Sequence, residues 1–376
     1  MELVFIISIA CIVFSYFGYP ASLYILSFMS SKSVNSNIYY PDVTFIITAY
    51  NEEKNIRNKI NNTLAIRYPK DKLQIIIASD GSVDKTVKIA EEYKINGIEI
   101  INRLERAGKE NTQKEAIKIA RGEILVFSDV ATMLEAEGLV QIVSNFSDNS
   151  VGCVSSEDRL IGKNGKVSGE GFYVRYEMWL RRLESKCNSI VGLSGSFFAA
   201  RKIVCDDFSG NMQSDFRTVI SSIKKGLRCV IDPKAVGYYV DIKGNSKEFD
   251  RKVRTVLRGL TVYFNHTELL NIFKYGLFSY QYFCHKLLRW TVPAFLIVAF
   301  LSNAIISVHS PSYMFILFLQ ILFYGMALIN IKYEREYSLN IANVPKYFLV
   351  VNASIAMAWW KYMRRQRIVL WNSSER

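Results

Sequence analysis

Three long apolar runs set the first limit on what this 376-residue chain can become. Residues 3 to 30, 291 to 308 and 313 to 330 are mostly apolar and almost uncharged. Each approaches the roughly 20 residues that a helix needs to cross a bilayer. Lipid offers a backbone N–H or C=O no partner, so such runs are confined to helices. They predict an integral membrane protein with an N-terminal anchor over 1–30, followed by a polar linker from Ser30 to Asn37. The first run lacks a basic start and an A-x-A-like cleavage site, which favours an anchor over a removable signal.

The net charge of +13 is unevenly placed. Residues 42–135 hold fifteen basic and fifteen acidic side chains, whereas 270–376 hold eleven basic against three acidic. The excess lies beside the apolar runs, where it suits anionic headgroups and a cytosolic face, so membrane lipids are expected partners. No nucleic-acid-binding motif accompanies it, and nucleic acid is not expected. Six cysteines show no C-x-x-C pairing, and the three histidines lie far from them in sequence. Neither a zinc site nor a disulfide framework follows, which fits a reducing cytosolic compartment for the soluble part.

Between the anchor and residue 135, strand and helix alternate four times. VTFIITAY after Pro41 is a buried-strand pattern ending at Tyr50, Asn51 and Glu52, and Glu53 to Leu64 is an amphipathic helix. Leu73 to Ser79 is a second strand, ending in Asp80-Gly81-Ser82-Val83-Asp84, with a helix from Lys85 to Tyr93. A strand over 97–102, a helix over 109–120 and a strand over 123–128 complete the series, with Asp129 at its end. Such alternation implies βαβ units, a parallel sheet and right-handed crossovers. Ligands bind beyond the carboxyl ends of parallel strands, so Tyr50, Asp80 and Asp129 should gather at one edge. Asp129 is the first candidate for chemistry, and capping of the following turn is its bland alternative.

Beyond residue 135 the regularity decays. Phe172, Tyr176, Trp179, Leu180 and Leu183 recur at helical spacing and predict a core-facing helix over 170–186. GLSGSFFAAR (192–201) is a small-residue turn leading into a strand. Ser214-Asp215-Phe216 opens a helix, and CVIDP closes a strand at Asp232 and Pro233. Residues 247–265 form a basic amphipathic helix, and the aromatic stretch 270–290 has an interfacial composition. Phe348 to Trp360 is short for a span and is expected to lie along the membrane or re-enter it, leaving the basic tail 361–376 cytosolic.

Several templates are absent. Gly108-Lys109 is followed by Glu110, so there is no P-loop, and neither G-x-G-x-x-G after a strand nor G-x-S-x-G occurs. The motifs that are present run in order: ITAYNEE (47–53), SDGSVDKT (79–86), ERAGKENTQKEA (105–116), FSDVAT (127–132), SDF (214–216) and RKVR (251–254). In these the chain resembles the family 2 glycosyltransferases, inverting enzymes that include membrane synthases of chitin, cellulose and hyaluronan and exopolysaccharide glycosyltransferases. The resemblance implies an α/β fold of GT-A type, a nucleotide-diphospho-sugar transferase domain over 41–265 with a mostly parallel sheet. Transmembrane helices flank it, the anchor at 1–30 and an interfacial and transmembrane region at 266–376.

The resemblance also implies roles. Tyr50, Glu52 and Asp80 would hold the nucleoside, Arg106 and Lys109 would lie near the diphosphate, and Arg251 and Arg254 would contact the donor. Asp129 would bind a divalent cation, Mg²⁺ or Mn²⁺, and Asp215 would be the general base, with helix capping as its alternative. Two departures stand out. Ala131 replaces the second acid of the family's Asp-x-Asp, and Thr255 replaces the Trp of the processive synthases' Gln-x-x-Arg-Trp, whose Gln is here Arg251. The expected partners are a nucleotide sugar, a UDP-sugar in particular, and a glycan or lipid-linked glycan acceptor. The expected setting is the plasma (inner) membrane with the catalytic domain cytosolic. A polyprenyl-phosphate glycosyltransferase and an inactive membrane scaffold are the alternatives.

Overall fold

All seven residues of β1 (Val43–Ala49) are buried. This strand pairs in parallel with β2 (Leu73–Ser79) on one side and β4 (Ile124–Asp129) on the other, and β3 (Ile98–Asn102) pairs in parallel with β2. A parallel strand covered on both faces selects a continuous apolar run, which is what VTFIITA is. The computed structural model describes residues 1–29, 31–161, 172–240, 245–332 and 344–367.

Among the described residues eight strands form one sheet in the order β3-β2-β1-β4-β7 (Phe197–Arg201)-β6 (Val151–Ile161)-β8 (Arg228–Val240)-β5 (Met133–Leu134). Its second half is mixed: β7 runs antiparallel to both β4 and β6, and β8 runs parallel to β6. The two-residue β5 closes the far edge against β8. Phe45, Ile47, Val126, Val154 and Phe197 belong to one continuous core, so both halves share it.

In the first half the connecting helices are α2 (Ile56–Leu64), α3 (Thr86–Glu91) and α4 (Lys109–Ile119), close to their expected positions. α2 starts three residues later than its sequence pattern because Glu52 O accepts the N–H groups of Asn55 and Ile56 and holds a turn there. α5 (Gly138–Ser144), α6 (Phe172–Cys187) and α7 (Ser214–Lys224) follow. Leu180 and Leu183 of α6 are buried as expected, but Trp179 is 42% exposed. The strand expected to close at Pro233 continues to Val240. Its pairing with β6 steps from Ser156↔Asp232 to Glu157↔Val236. Residues 233–235 therefore bulge from the ladder, where a proline without an N–H is tolerated.

The chain divides into two compact units. The sheet lies in the unit Leu26–Lys243 with Val262–Thr267, and the other contains Met1–Ile25, Gly244–Thr261 and Glu268–Arg367. Among the described residues, three helices are long and apolar enough to cross a membrane: α1 (Glu2–Met29), α10 (Leu277–Ser307) and α11 (Pro311–Lys332). α8 (Asn245–Phe264) and the short α9 (Ile272–Tyr275) precede the last two. Most of the aromatic stretch read as interfacial is thus the first part of α10. α12 (Val344–Met363) is longer than the expected 348–360 segment. It packs against α10 and α11, with Trp359 Nε1 donating to Trp290 O at 2.8 Å and the Phe348 ring 5.8 Å from that of Phe323. Of the basic tail, 368–376 lie outside the described residues.

Candidate active site

Asp80, the first residue past β2, is completely buried. Its Oδ1 accepts from Ala107 N at 2.9 Å, Gly108 N at 3.0 Å and Thr112 Oγ1 at 2.9 Å, and its Oδ2 also accepts from Gly108 N at 3.0 Å. One carboxylate thus holds the turn that leads into α4. Gly81 makes the approach possible: its φ is +69°, and a Cβ there would sit 2.8 Å from Arg106 N. Arg106 lies with its guanidinium carbon 3.8 Å from the centroid of the Tyr50 ring, a cation–π stack, and its Nε 3.9 Å from Asp80 Oδ2.

The loop after β1 is laced to the loop after β2. Asn51, at φ +50°, accepts Val83 N on its Oδ1, and Glu52 N donates to Thr86 Oγ1 at 2.7 Å. The Glu52 carboxylate is buried and accepts from Asn55 Nδ2 at 2.9 Å.

Lys109, the first residue of α4, reaches across to β4. Its Nζ donates to Asp129 Oδ1 at 2.5 Å and to Gly195 O at 2.9 Å. Asp129 N in turn donates to Ser196 O at 3.0 Å, which ties the end of β4 to the turn before β7. A Cβ on Gly195 would lie 2.9 Å from Asp215 Oδ2, so the carboxylate of Asp215 rests against the same turn. Gln213 Nε2 donates to Asp215 Oδ2 at 3.0 Å, while Asp215 Oδ1 is buried with no hydrogen-bond partner among the described residues. Among the described residues no hydrogen bond joins this carboxylate to an N–H of the first turn of α7, although an acid in that turn suits the helix dipole.

Tyr50, Asp80 and Arg106 therefore form one cluster, and Lys109, Asp129 and Asp215 a second around Gly195, with the 106–109 turn common to both. Arg251 and Arg254 lie on α8, in the other compact unit. One member of the site region escaped the sequence reading. Lys59 of α2 is fully buried, and its Nζ donates to Ser128 Oγ at 2.8 Å and to Thr132 O at 2.5 Å. Burial pushes its ammonium down to about 7, although the nearby Asp129 charge works in the opposite direction. The available signal was its spacing: Ile56, Lys59, Ile60 and Thr63 make the buried face of α2.

Among the described residues no three His, Cys, Asp or Glu side chains come together as a ready-made metal cage. Asp129 is a lone acid with Ala131 two residues on, and its side chain is 20% exposed. Mg²⁺ commonly takes one or two carboxylates, with substrate phosphates and water completing the shell. That donor set fits Asp129 when a diphosphate supplies the remaining ligands.

Comparison with known proteins agrees with this architecture. The sequence model of the family described as Glycosyl transferase family 2 matches residues 44–208, a span that ends before Asp215. The poly-beta-1,6-N-acetyl-D-glucosamine synthase of Staphylococcus epidermidis is 22% identical over 372 residues, covering 89% of this chain and 87% of that protein. The synthase of the same name from Staphylococcus aureus (strain COL) is 27% identical over 165 residues, 43% of this chain and 39% of that one. Among solved structures, the mannosyltransferase PcManGT from Pyrobaculum calidifontis, in complex with GDP-Man and Mn²⁺, matches with a TM-score of 0.73 at 19% identity. The match covers 97% of this chain and 100% of that one, and it is a likeness of fold. Sheet, loops and family match define a glycosyltransferase domain of GT-A type. Residues 44–208 carry a family 2 glycosyltransferase domain, and the chain is similar over most of its length to a bacterial exopolysaccharide synthase.

Proposed function

We propose that this chain is a membrane-bound inverting enzyme that transfers one sugar from a UDP-sugar to a hydroxyl of a glycan or lipid-linked glycan, in building cell-surface polysaccharide. The observation that carries the reading is the buried, unpartnered Asp215 Oδ1, held beside the turn whose carbonyl binds the ammonium paired with Asp129. An unsatisfied buried acceptor is costly, and a substrate hydroxyl donating to it would remove that cost.

The residues divide the work by position. An acceptor hydroxyl donates to Asp215, which takes its proton as the oxygen attacks the anomeric carbon. The bond from that carbon to the diphosphate breaks on the opposite face, so an α-linked donor gives a β-linked product. Lys109 brings an ammonium to the departing diphosphate, where preorganised positive charge is most effective. Arg106 and Tyr50 border the donor, Glu52 lies in the same loop, and Asp80 acts through the turn it holds. A divalent cation at Asp129 would add charge stabilisation for the leaving nucleotide. Arg251 and Arg254 are assigned to the donor phosphates, a role their basic character suits.

The named product of the Staphylococcus relatives makes UDP-N-acetylglucosamine the first donor to try. Thr255, in place of the processive synthases' Trp, favours single transfer over processive synthesis. The three candidate spans and the basic C-terminal region favour a plasma (inner) membrane enzyme with a cytosolic catalytic domain. The test is purified full-length chain in lipid, given UDP-N-acetylglucosamine, other UDP-sugars or GDP-mannose, with Mg²⁺, Mn²⁺ or chelator. Cation-dependent UDP release and a β-linked product are expected. Retained configuration, or no nucleotide release from any donor, would overturn the reading, and full turnover in excess chelator would remove the cation from it.

A further inference from the structure

The backbone of the 194–196 turn meets the groups assigned to both reaction partners. Gly195 O holds Lys109, Ser196 O holds the end of β4 at Asp129, and Gly195 Cα lies against Asp215. A short Ser-Gly-Ser segment is conformationally free by itself, so something else must fix it. The fixing groups come from β6. Ser155 Oγ accepts Ser194 N at 2.8 Å, and Ser156 Oγ donates to Phe197 O at 2.7 Å. Asp158 Oδ1 accepts from Ser194 Oγ at 2.7 Å and from Ser196 Oγ at 2.8 Å, clasping the turn on both sides of Gly195. With its proton given to Asp158, Ser194 Oγ is left to accept Ser196 N at 3.2 Å and Phe197 N at 3.4 Å.

We infer that Asp158 is a positioning residue: by clasping Ser194 and Ser196 it sets the distance between the Lys109–Asp129 pair and the base Asp215. The inference rests on the proposed function, because it presumes that Asp215 and the pair act on opposite ends of one sugar. Charge is part of the design. A carboxylate accepting two hydroxyl hydrogen bonds holds them more strongly than a neutral acceptor does, and it has no proton of its own to donate. Loosening the clasp leaves Asp215, Lys109 and Asp129 in place chemically but lets the turn between them drift. Misplacement by about 1 Å in such an arrangement costs on the order of 10²-fold in rate.

The test uses the full-length chain in lipid with UDP-N-acetylglucosamine as probe, or whichever donor the parent consumes. Asp158→Ala is expected to lower kcat by about 10²-fold while KM for the donor stays within about threefold. Asp158→Asn, which keeps the acceptor oxygen without the charge, should fall between parent and Asp158→Ala, and it stands in if the alanine variant does not fold. The double variant Ser194→Ala, Ser196→Ala should lower kcat similarly, and adding Asp158→Ala to it should change little, since the three residues form one unit. Unchanged kcat with a lowered melting temperature would reduce Asp158 to a structural role and overturn the inference. A tenfold higher KM with kcat retained would also overturn it, by placing Asp158 on the donor itself. A parent that releases no UDP from any donor takes down the proposed function along with this inference, whereas an active parent matched by its variants takes down the inference alone.

Discussion

The two halves of the sheet bring their polar groups to the site by different means. In the parallel half, Tyr50 and Asp80 stand one residue past β1 and β2, and Asp129 is the last residue of β4. Their common edge is a consequence of topology alone, because parallel strands joined by right-handed crossovers end on the same side. In the mixed half, Asp215 sits on the first turn of α7 and Asp158 within β6, and what relates them to the rest is the 194–196 turn. The first half is organised by strand order and the second by side-chain hydrogen bonds. Substitutions should therefore act differently in the two: in the first they should weaken donor binding, and in the second they should lower rate with binding intact.

Lys109 is the point where the halves join, so its loss should have a large effect that reaches both. Lys109→Met removes the cation between Asp129 and Gly195 O while keeping most of the side chain's bulk. Rate at saturating donor should fall by about 10²- to 10³-fold, the usual cost of deleting one preorganised electrostatic group. A loss below tenfold in a UDP-release assay would mean that the two halves are not coupled through this residue.

Asp80→Ala tests the parallel half by itself. It strands Ala107 N, Gly108 N and Thr112 Oγ1 in a buried setting, and each such unpaired group costs about 1–3 kcal/mol. The melting temperature should drop and donor affinity should weaken as the Arg106–Lys109 turn loosens. A variant with parental stability would show that Asp80 does not organise that turn.

How much of this could be read from the sequence follows the same division. VTFIITA, LQIIIAS and ILVFSD are apolar runs with an acid or a Tyr-Asn-Glu group at the end, so strand, order and edge were all legible. β6 was not, because Ser155, Ser156, Glu157 and Asp158 interrupt its apolar pattern, and hydrogen bonds to residues about forty positions away satisfy three of them. The continuation of β8 past Pro233 was hidden by the rule that proline ends strands, which a bulge evades. Lys59 was hidden by its charge: a lysine in an amphipathic helix suggests the wet face, and only the Ser128 and Thr132 partners explain its burial.

Lys59 carries a distinctive pH dependence of stability. Its ordinary value near 10.5 falls to about 7 in the folded chain, so between those limits the unfolded chain binds more protons and stability rises with pH. Below about 7 the ammonium is charged in both states, and the burial cost is constant there. Lys59→Met should abolish this slope, which reaches about 1.4 kcal/mol per pH unit at its steepest. Melting curves of parent and variant between pH 7 and 10 give the comparison. Parallel curves would mean that Lys59 keeps its ordinary affinity for the proton inside the fold.

The division of labour between Asp129 and Asp215 is the central claim, and calorimetric titration of donor with Mn²⁺ into Asp129→Asn and Asp215→Asn, alongside each variant's transfer rate, tests it directly. The account predicts that Asp215→Asn binds the donor as the parent does but transfers about 10²- to 10⁴-fold more slowly, the range expected for a lost general base. It predicts that Asp129→Asn loses metal-dependent donor binding and transfer together. Abolished donor binding in Asp215→Asn, or transfer to a hydroxyl acceptor at the parental rate, would contradict it and return Asp215 to a structural role.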